Sequence, residues 1–229
     1  MKITQNLMKS CWTKENVTFV KKTLAQLEDD PHMPTILQFI DNKEWNIWCL
    51  LAMLAKKYMP KRYLEIGVRR GFSMAMIVAR GQTNHITGFD MWVKGYGGAE
   101  NPGPSFVISE MNKFRNEQFL DALISDTKFI ADWSGKNKAP IKIELISGDT
   151  AQTLPAYKPD APFDLILVDG DHSYKGAVSN LENCLGILAK NGSIVIDDLQ
   201  AESVLNACRT VHEKHGLIFQ RFGRVGIIS

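Results

Sequence analysis

The stretch FDLILVDGDHSYKGAVSNLENCLGILAKNGSIVIDD, residues 163–198, holds one complete unit of the fold. FDLILVD is a short, continuous apolar run ending in a carboxylate, the length of a strand buried on both faces. Val178, Leu181, Leu185 and Leu188 follow at helical spacing and make one apolar stripe. Asn191-Gly192 has the chemistry of a helix C-cap, after which GSIVID repeats the strand pattern. Strand, helix and strand in that order predict a parallel pair.

The same alternation extends outward in both directions. YLEIGV (63–68), HITGFD (85–90) and IKIELIS (141–147) are further buried-strand runs, so the chain is expected to form an α/β fold, a doubly wound, mostly parallel sheet covered on both faces. After a helix around 201–214, LIFQRF and RVGIIS are separated only by Gly223 and read as an antiparallel pair. Before residue 60 the pattern is helical. Val17, Val20, Leu24 and Leu27 recur at helix spacing, as do Ile47, Leu50, Leu51 and Leu54 beyond the Pro31/Pro34 break. Residues 1–60 are therefore expected to form a helical cap on a main domain at 61–229. Residues 91–140 are too long for an ordinary connection and read as an insertion after the second strand, with a helix carrying Met111, Phe114, Leu120 and Leu123, able to wall or cover a site at the strand ends.

The totals narrow the function. The chain has 229 residues, and Lys plus Arg exceeds Asp plus Glu only by 27 to 25, so neither nucleic acid nor an acidic membrane surface is the expected partner. No apolar run approaches a membrane span, and Met1 to Ser10 lacks the apolar core of a secretory signal, which points to the cytoplasm. Cys11, Cys49, Cys184 and Cys208 are scattered and read as reduced thiols. A small molecule is the expected partner, and a homo-oligomer is left open.

The strand ends carry the chemistry. YLEIGVRRGFS places Glu65 at a strand end, a turn from Gly67 to Gly71, and a helix start near Ser73. Such a turn lets backbone N–H groups approach a ligand, and a helix N-terminus favours a carboxylate or phosphate. The spacing is GxxxG, not the GxGxxG of nicotinamide dinucleotide sites. Asp90 closes the next strand, where doubly wound sheets offer an acid to ribose hydroxyls, and Asp149 lies on the same rim. Together these describe a nucleoside site whose other end takes a charged group.

LEIGVRRGFS, ITGFD, ISGDT, FDLILVDGDHSY and GSIVIDD resemble, in order, the motifs of class I S-adenosylmethionine-dependent methyltransferases. More narrowly they resemble the cation-dependent O-methyltransferases of the catechol and caffeoyl-CoA type and their relatives acting on antibiotic sugars. The resemblance runs from about residue 60 to the C-terminus, the insertion excepted. It implies a Rossmann-like, seven-stranded sheet with an antiparallel last strand. It also implies that Glu65, Gly67 and Gly71 shape the methionine pocket, Ser73 holds its carboxylate, Asp90 binds the ribose, Asp149 lies near the adenine, and Asp169, Asp197 and Asp198 hold a metal.

Asp169, Asp197 and Asp198 on neighbouring strands would repel one another unless protonated or neutralised by a cation. An all-oxygen set suits Mg²⁺, Ca²⁺ or Mn²⁺, Mg²⁺ being the natural expectation, and such an ion would acidify a substrate hydroxyl for attack on the sulfonium methyl. Helix capping by Asp197 and Asp198 is the plain alternative. The family often has Asp-Asn where this chain has Asp197-Asp198, and commonly Lys near His172, so phenol specificity is not carried over. His172 and Asp171 are the candidate bases. The expected function is metal-assisted O-methylation of a small hydroxylated molecule. A metal-independent methyltransferase acting on N, O or C, and a binding module without turnover, are the alternatives; a nicotinamide dehydrogenase leaves DGDHSY and IVIDD unexplained. Trp45 and Trp48 read as core, HEKH at 212–215 as a solvated helix end, and Arg69 and Arg70 as facing either solvent or an acidic substrate.

Overall fold

The computed structural model describes residues 9–27, 30–80, 82–93, 101–114, 121–124, 128–135 and 138–229, with backbone alone described between 115 and 140. Three helices come first: α1 (Lys14–Leu24), α2 (Met33–Asp41) and α3 (Ile47–Tyr58). Thr13 and Asn46 start α1 and α3 by accepting from the amides of Asn16 and Cys49. The proline-bearing α2, read only as a break in the sequence, starts with Pro34 in its first turn, where a missing N–H costs nothing.

The sheet then alternates with helices as expected: β1 (Arg62–Ile66), α4 (Phe72–Arg80), β2 (His85–Asp90), α5 (Pro104–Asn112), β3 (Asp121–Ile124), β4 (Lys128–Gly135), β5 (Lys138–Ser147), α6 (Thr150–Ala156), β6 (Phe163–Val168), α7 (Tyr174–Ile187), β7 (Leu188–Ile196), α8 (Glu202–His215), β8 (Phe219–Phe222) and β9 (Val225–Ile228). Among the described residues the strand order is β3-β4-β5-β2-β1-β6-β7-β9-β8. Strands β5, β2, β1, β6 and β7 run parallel to one another, and β9 runs antiparallel to both β7 and β8. The seven-stranded mixed sheet of the resemblance is therefore present, and the last strand is antiparallel as expected.

Strand faces alternate with period two. Tyr63, Leu165, Leu167 and Val195 pack with α1, α3 and α4, whereas Leu64, Ile66, Ile166, Val168, Ile194 and Ile196 pack with α7 and α8. A register in which Ile66 pairs with Phe89 and Val168, and Val168 with Ile196, ends the central strands at one level. Asp90, Asp169 and Asp197 share that rim.

Two local readings are corrected. Helix α5 ends at Asn112, and residues 121–124 form a strand paired antiparallel to β4, itself antiparallel to β5, so the insertion extends the sheet with a hairpin. Met111 is in the helix, Phe114 lies just past it, Leu123 is in β3, and Leu120 falls outside the described residues. A few apolar residues spaced three or four apart do not separate helix from strand once backbone pairing is on offer. Asn191-Gly192 is not a helix cap either. Helix α7 stops at Ile187, and the pair sits inside β7, where the register with β6 slips between Phe163↔Leu188 and Leu165↔Ser193. The dipeptide makes a bulge, the other use of flexible, small residues at a strand's start.

The four cysteines are free and buried. No helix among the described residues is long and apolar enough to cross a membrane.

Candidate active site

Two adjoining cavities open at the carboxyl ends of β1, β2, β6 and β7. The first, about 230 Å³, is lined by Gly67, Asp90, Asn101, Asp149, Asp169 and His172 among others. The second, about 170 Å³, lies between the N-terminal helices and the acidic rim and includes Trp48, Arg70, Ser73, Asp197, Asp198 and Arg224. Gly67, Arg69 and Asp169 line both. Of the expected cofactor residues, Glu65 and Gly71 line neither.

The glycine turn is built by close approach. Gly67 has φ +85°, and a β-carbon there would stand 1.8 Å from the carbonyl oxygen of Asp169. Arg69, also left-handed at φ +50°, donates its amide to Asp90 Oδ2 at 2.7 Å and its carbonyl accepts from the Trp92 indole at 3.3 Å. Asp90 Oδ1 further accepts from the Trp92 amide at 2.8 Å and from the Asn101 side chain at 3.0 Å. Among the described residues these bonds use three of the carboxylate's about four acceptor positions. Asn101 comes from the insertion, so part of that segment walls the first cavity.

Glu65 is fully buried in β1 and accepts from the Tyr63 hydroxyl at 2.7 Å. Burial holds its pKa well above the ordinary carboxylate value, a change that the Tyr63 hydrogen bond opposes. Glu65 thus sits within β1, bonded to Tyr63 and outside both cavities. Ser73, in the first turn of α4, reaches the second cavity. Asp149 caps α6 by accepting from the Ala151 amide at 2.8 Å while lining the first cavity, so the capping and ligand-facing positions coincide.

The acidic rim divides in a way the sequence did not foretell. Asp169, His172 and Asp198 converge, with one possible ligand atom from each within 4.8 Å of the others. His172 Nε2 is 3.2 Å from Asp198 Oδ2 and 3.7 Å from Asp169 Oδ1. Asp197 instead takes both ends of Arg224, Nε at 3.0 Å and Nη2 at 3.2 Å, and Arg224 also bonds Asp198. Arg224 thus engages Asp197, while Asp169, His172 and Asp198 face one another. Register contains the signal: Ile196 pairs with Gly226, which puts the residues after β7 opposite those before β9.

These contacts perturb the acids. Burial raises the pKa of Asp169, opposed by the contact with His172, and raises Asp197 to about 7 despite Arg224. Contact with Asp169, aided by the charge of Asp198, raises His172. Asp171 also lines the first cavity, but its carboxylate accepts from the Ser173 amide at 2.8 Å and hydroxyl at 3.1 Å, bracing the start of α7.

The chain matches the model of a methyltransferase domain over residues 64–199. It belongs to that family. The methyltransferase fold recurs at low identity in solved structures. An S-adenosylhomocysteine-bound Podospora anserina methyltransferase, PaMTH1, is 16% identical with TM-score 0.55, over 100% of this chain and 97% of that one. The calicheamicin methyltransferase CalS11 is 18% identical with TM-score 0.55, over 94% and 93%. The O-methyltransferase TomG of Streptomyces achromogenes, in complex with S-adenosylmethionine, is 15% identical with TM-score 0.53, over 95% of each chain. No curated protein sequence matches. The class I S-adenosylmethionine-dependent methyltransferase read from the motifs is thereby borne out, and with it the fold.

HEKH ends α8 at His215, and Trp45 is half-buried, packed against the core on Trp12 and Phe222. Trp48 is not only core: it lines the second cavity, and its indole N–H is buried with no hydrogen-bond partner among the described residues.

Proposed function

We propose that this methyltransferase moves the methyl group of S-adenosylmethionine to a hydroxyl oxygen of a small molecule. One observation carries the reading: a nucleoside-sized cavity lined from Asp90 to His172 adjoins a second cavity lined by Asp197, Asp198 and Arg224, with Gly67, Arg69 and Asp169 common to both. The ribose would bond Asp90, the adenine would lie toward Asp149, and the methionine carboxylate would reach Ser73 at the N-terminus of α4, where unpaired amides favour an anion. The acceptor would enter over Trp48. CalS11 is described as a TDP-rhamnose 3'-O-methyltransferase, which supports an oxygen acceptor on a small molecule.

Asp169 and Asp198 suit a divalent cation, since two converging carboxylates offer hard oxygen donors that otherwise repel. When bound there, such an ion lowers the pKa of an acceptor hydroxyl. His172, half exposed on the cavity side, would take the hydroxyl proton; oxygen then attacks the methyl carbon, the C–S bond breaks, and S-adenosylhomocysteine leaves. Asp171 is already engaged in its turn, which favours His172 as base.

Arg224 favours a second reading. A guanidinium paired with Asp197 and Asp198 already neutralises part of the rim, so the transfer can proceed without metal, the bound acceptor being oriented by Asp198 and deprotonated by His172. Mass spectrometry for copurified S-adenosylmethionine or its product tests the cofactor, and transfer of a labelled methyl group across a panel of hydroxylated acceptors, with and without chelator, separates the two mechanisms. Undiminished transfer in chelator excludes the metal; absence of cofactor binding overturns both.

A further inference from the structure

The glycine turn is held from outside the methyltransferase domain. Asp30, in the connection between α1 and α2, lies upstream of the matched residues 64–199, yet its side chain is completely buried against the turn. Its Oδ1 accepts from the His32 amide at 2.7 Å, which fixes the carboxylate plane. Its Oδ2 faces two consecutive guanidiniums, Arg69 Nη2 at 3.4 Å and Arg70 Nε at 3.2 Å. The Arg70 guanidinium also lies over the ring of Phe106 in α5, 4.6 Å from its centroid. N-terminal segment, cofactor turn and insertion meet at this pair of arginines.

Arg69 is where this matters. A left-handed conformation at a residue with a β-carbon is costly and persists only where the surroundings over-determine it. In that conformation the Arg69 amide points at Asp90 and its carbonyl at Trp92, so the backbone of one strained residue aims the carboxylate proposed to bind ribose. The ion pair with Asp30 anchors the far end of the same residue. A buried carboxylate is stabilising only while its partners remain in place, so the contact is all or none in character.

We infer that Asp30 is a positioning residue for the cofactor: through Arg69 it holds the turn in the conformation that presents Asp90. This rests on the proposed S-adenosylmethionine site. Asp30→Asn keeps the acceptor for His32 and removes the charge. Calorimetry with S-adenosylhomocysteine, run on folded protein at 25 °C beside a thermal melt, should give affinity weakened about fivefold or more, as expected for partial loss of a hydrogen bond to a charged group. Asp30→Glu should recover most of it. A purely stabilising role would lower the melting temperature and leave the affinity of the folded protein unchanged.

Arg69→Met cuts the same contact from the other end and serves where Asp30→Asn does not fold. If Asp30 acts through Arg69, the double variant binds within about twofold of Arg69→Met alone, because sites in one network are not additive. Weakened binding by Arg69→Met that Asp30→Glu, in the wild-type background, does not reproduce even in part would also fit, since Glu keeps the charge. Affinity within about twofold of wild type in folded Asp30→Asn, or in Arg69→Met where Asp30→Asn is unfolded, overturns the inference alone. Failure of the wild-type protein to bind S-adenosylhomocysteine overturns the cofactor reading beneath it.

Discussion

The α-carbon of Gly67 faces the backbone carbonyl of Asp169 so closely that a β-carbon would come within 1.8 Å of its oxygen. The turn after β1 and the tip of β6 are therefore one packed unit, and glycine turn and acidic rim share a single geometry.

Gly67→Ala should break that unit. The clash is with backbone, which cannot rotate away, and the left-handed φ adds about 1–2 kcal/mol. The expected outcome is a melting temperature lowered by several degrees and loss of S-adenosylhomocysteine binding, read by a thermal melt and calorimetry. A variant as stable as wild type that binds normally would show that the two strand tips separate freely.

Asp90→Ala should weaken S-adenosylhomocysteine at least about tenfold, because hydrogen bonds to a charged group contribute ~1.5–3 kcal/mol each. The same change strands the amides of Arg69 and Trp92. Asn101→Ala removes one of the donors to Asp90 and leaves the carboxylate, so its effect should be smaller. Calorimetry on both variants checks the ranking; equal affinities for Asp90→Ala and wild type would remove Asp90 from the site.

Arg224→Gln bears on the metal. Losing the guanidinium leaves Asp197 and Asp198 without their common cation, and Mn²⁺ titrated calorimetrically should bind about tenfold more tightly, the order of magnitude for removing one adjacent like charge. Unchanged Mn²⁺ affinity would mean that Arg224 does not compete with a cation at this rim.

Asp197 should leave a mark on stability versus pH. Burial raises its pKa from 3.8 to about 7, with Asp169 and Asp198 adding to the rise and Arg224 opposing it. Between those values the folded protein keeps a proton that the unfolded chain releases, so stability from this group is present at low pH and lost as pH rises toward 7. Asp197→Asn carries no such proton. Its melting temperature relative to wild type should therefore climb from pH 4 to pH 7, in metal-free buffer; a flat difference would place Asp197 at an ordinary carboxylate pKa.

Much of this site was legible in the chain itself because its signals are local. Apolar runs of strand length, the glycines of a tight turn, and acids placed just after Phe89, Val168 and Ile196 are properties of a few consecutive residues, and parallel strands carry their last residues to a common rim. The family motifs are the same segments. What the tertiary structure alone decided is which side chains answer those acids. Arg224 meets Asp197 because β9 lies beside β7, Asn101 reaches Asp90 from an insertion, and Asp30 reaches Arg69 from a helix connection upstream of the matched residues 64–199. Likewise Leu123, read as the far end of a helical stripe, lies in a strand where β4 offered backbone partners, and Asn191-Gly192 became a bulge where β7 slipped against β6. The period of a sequence fixes faces within an element. Charge pairing and strand capture depend on distances between segments remote along the chain, and only packing sets those.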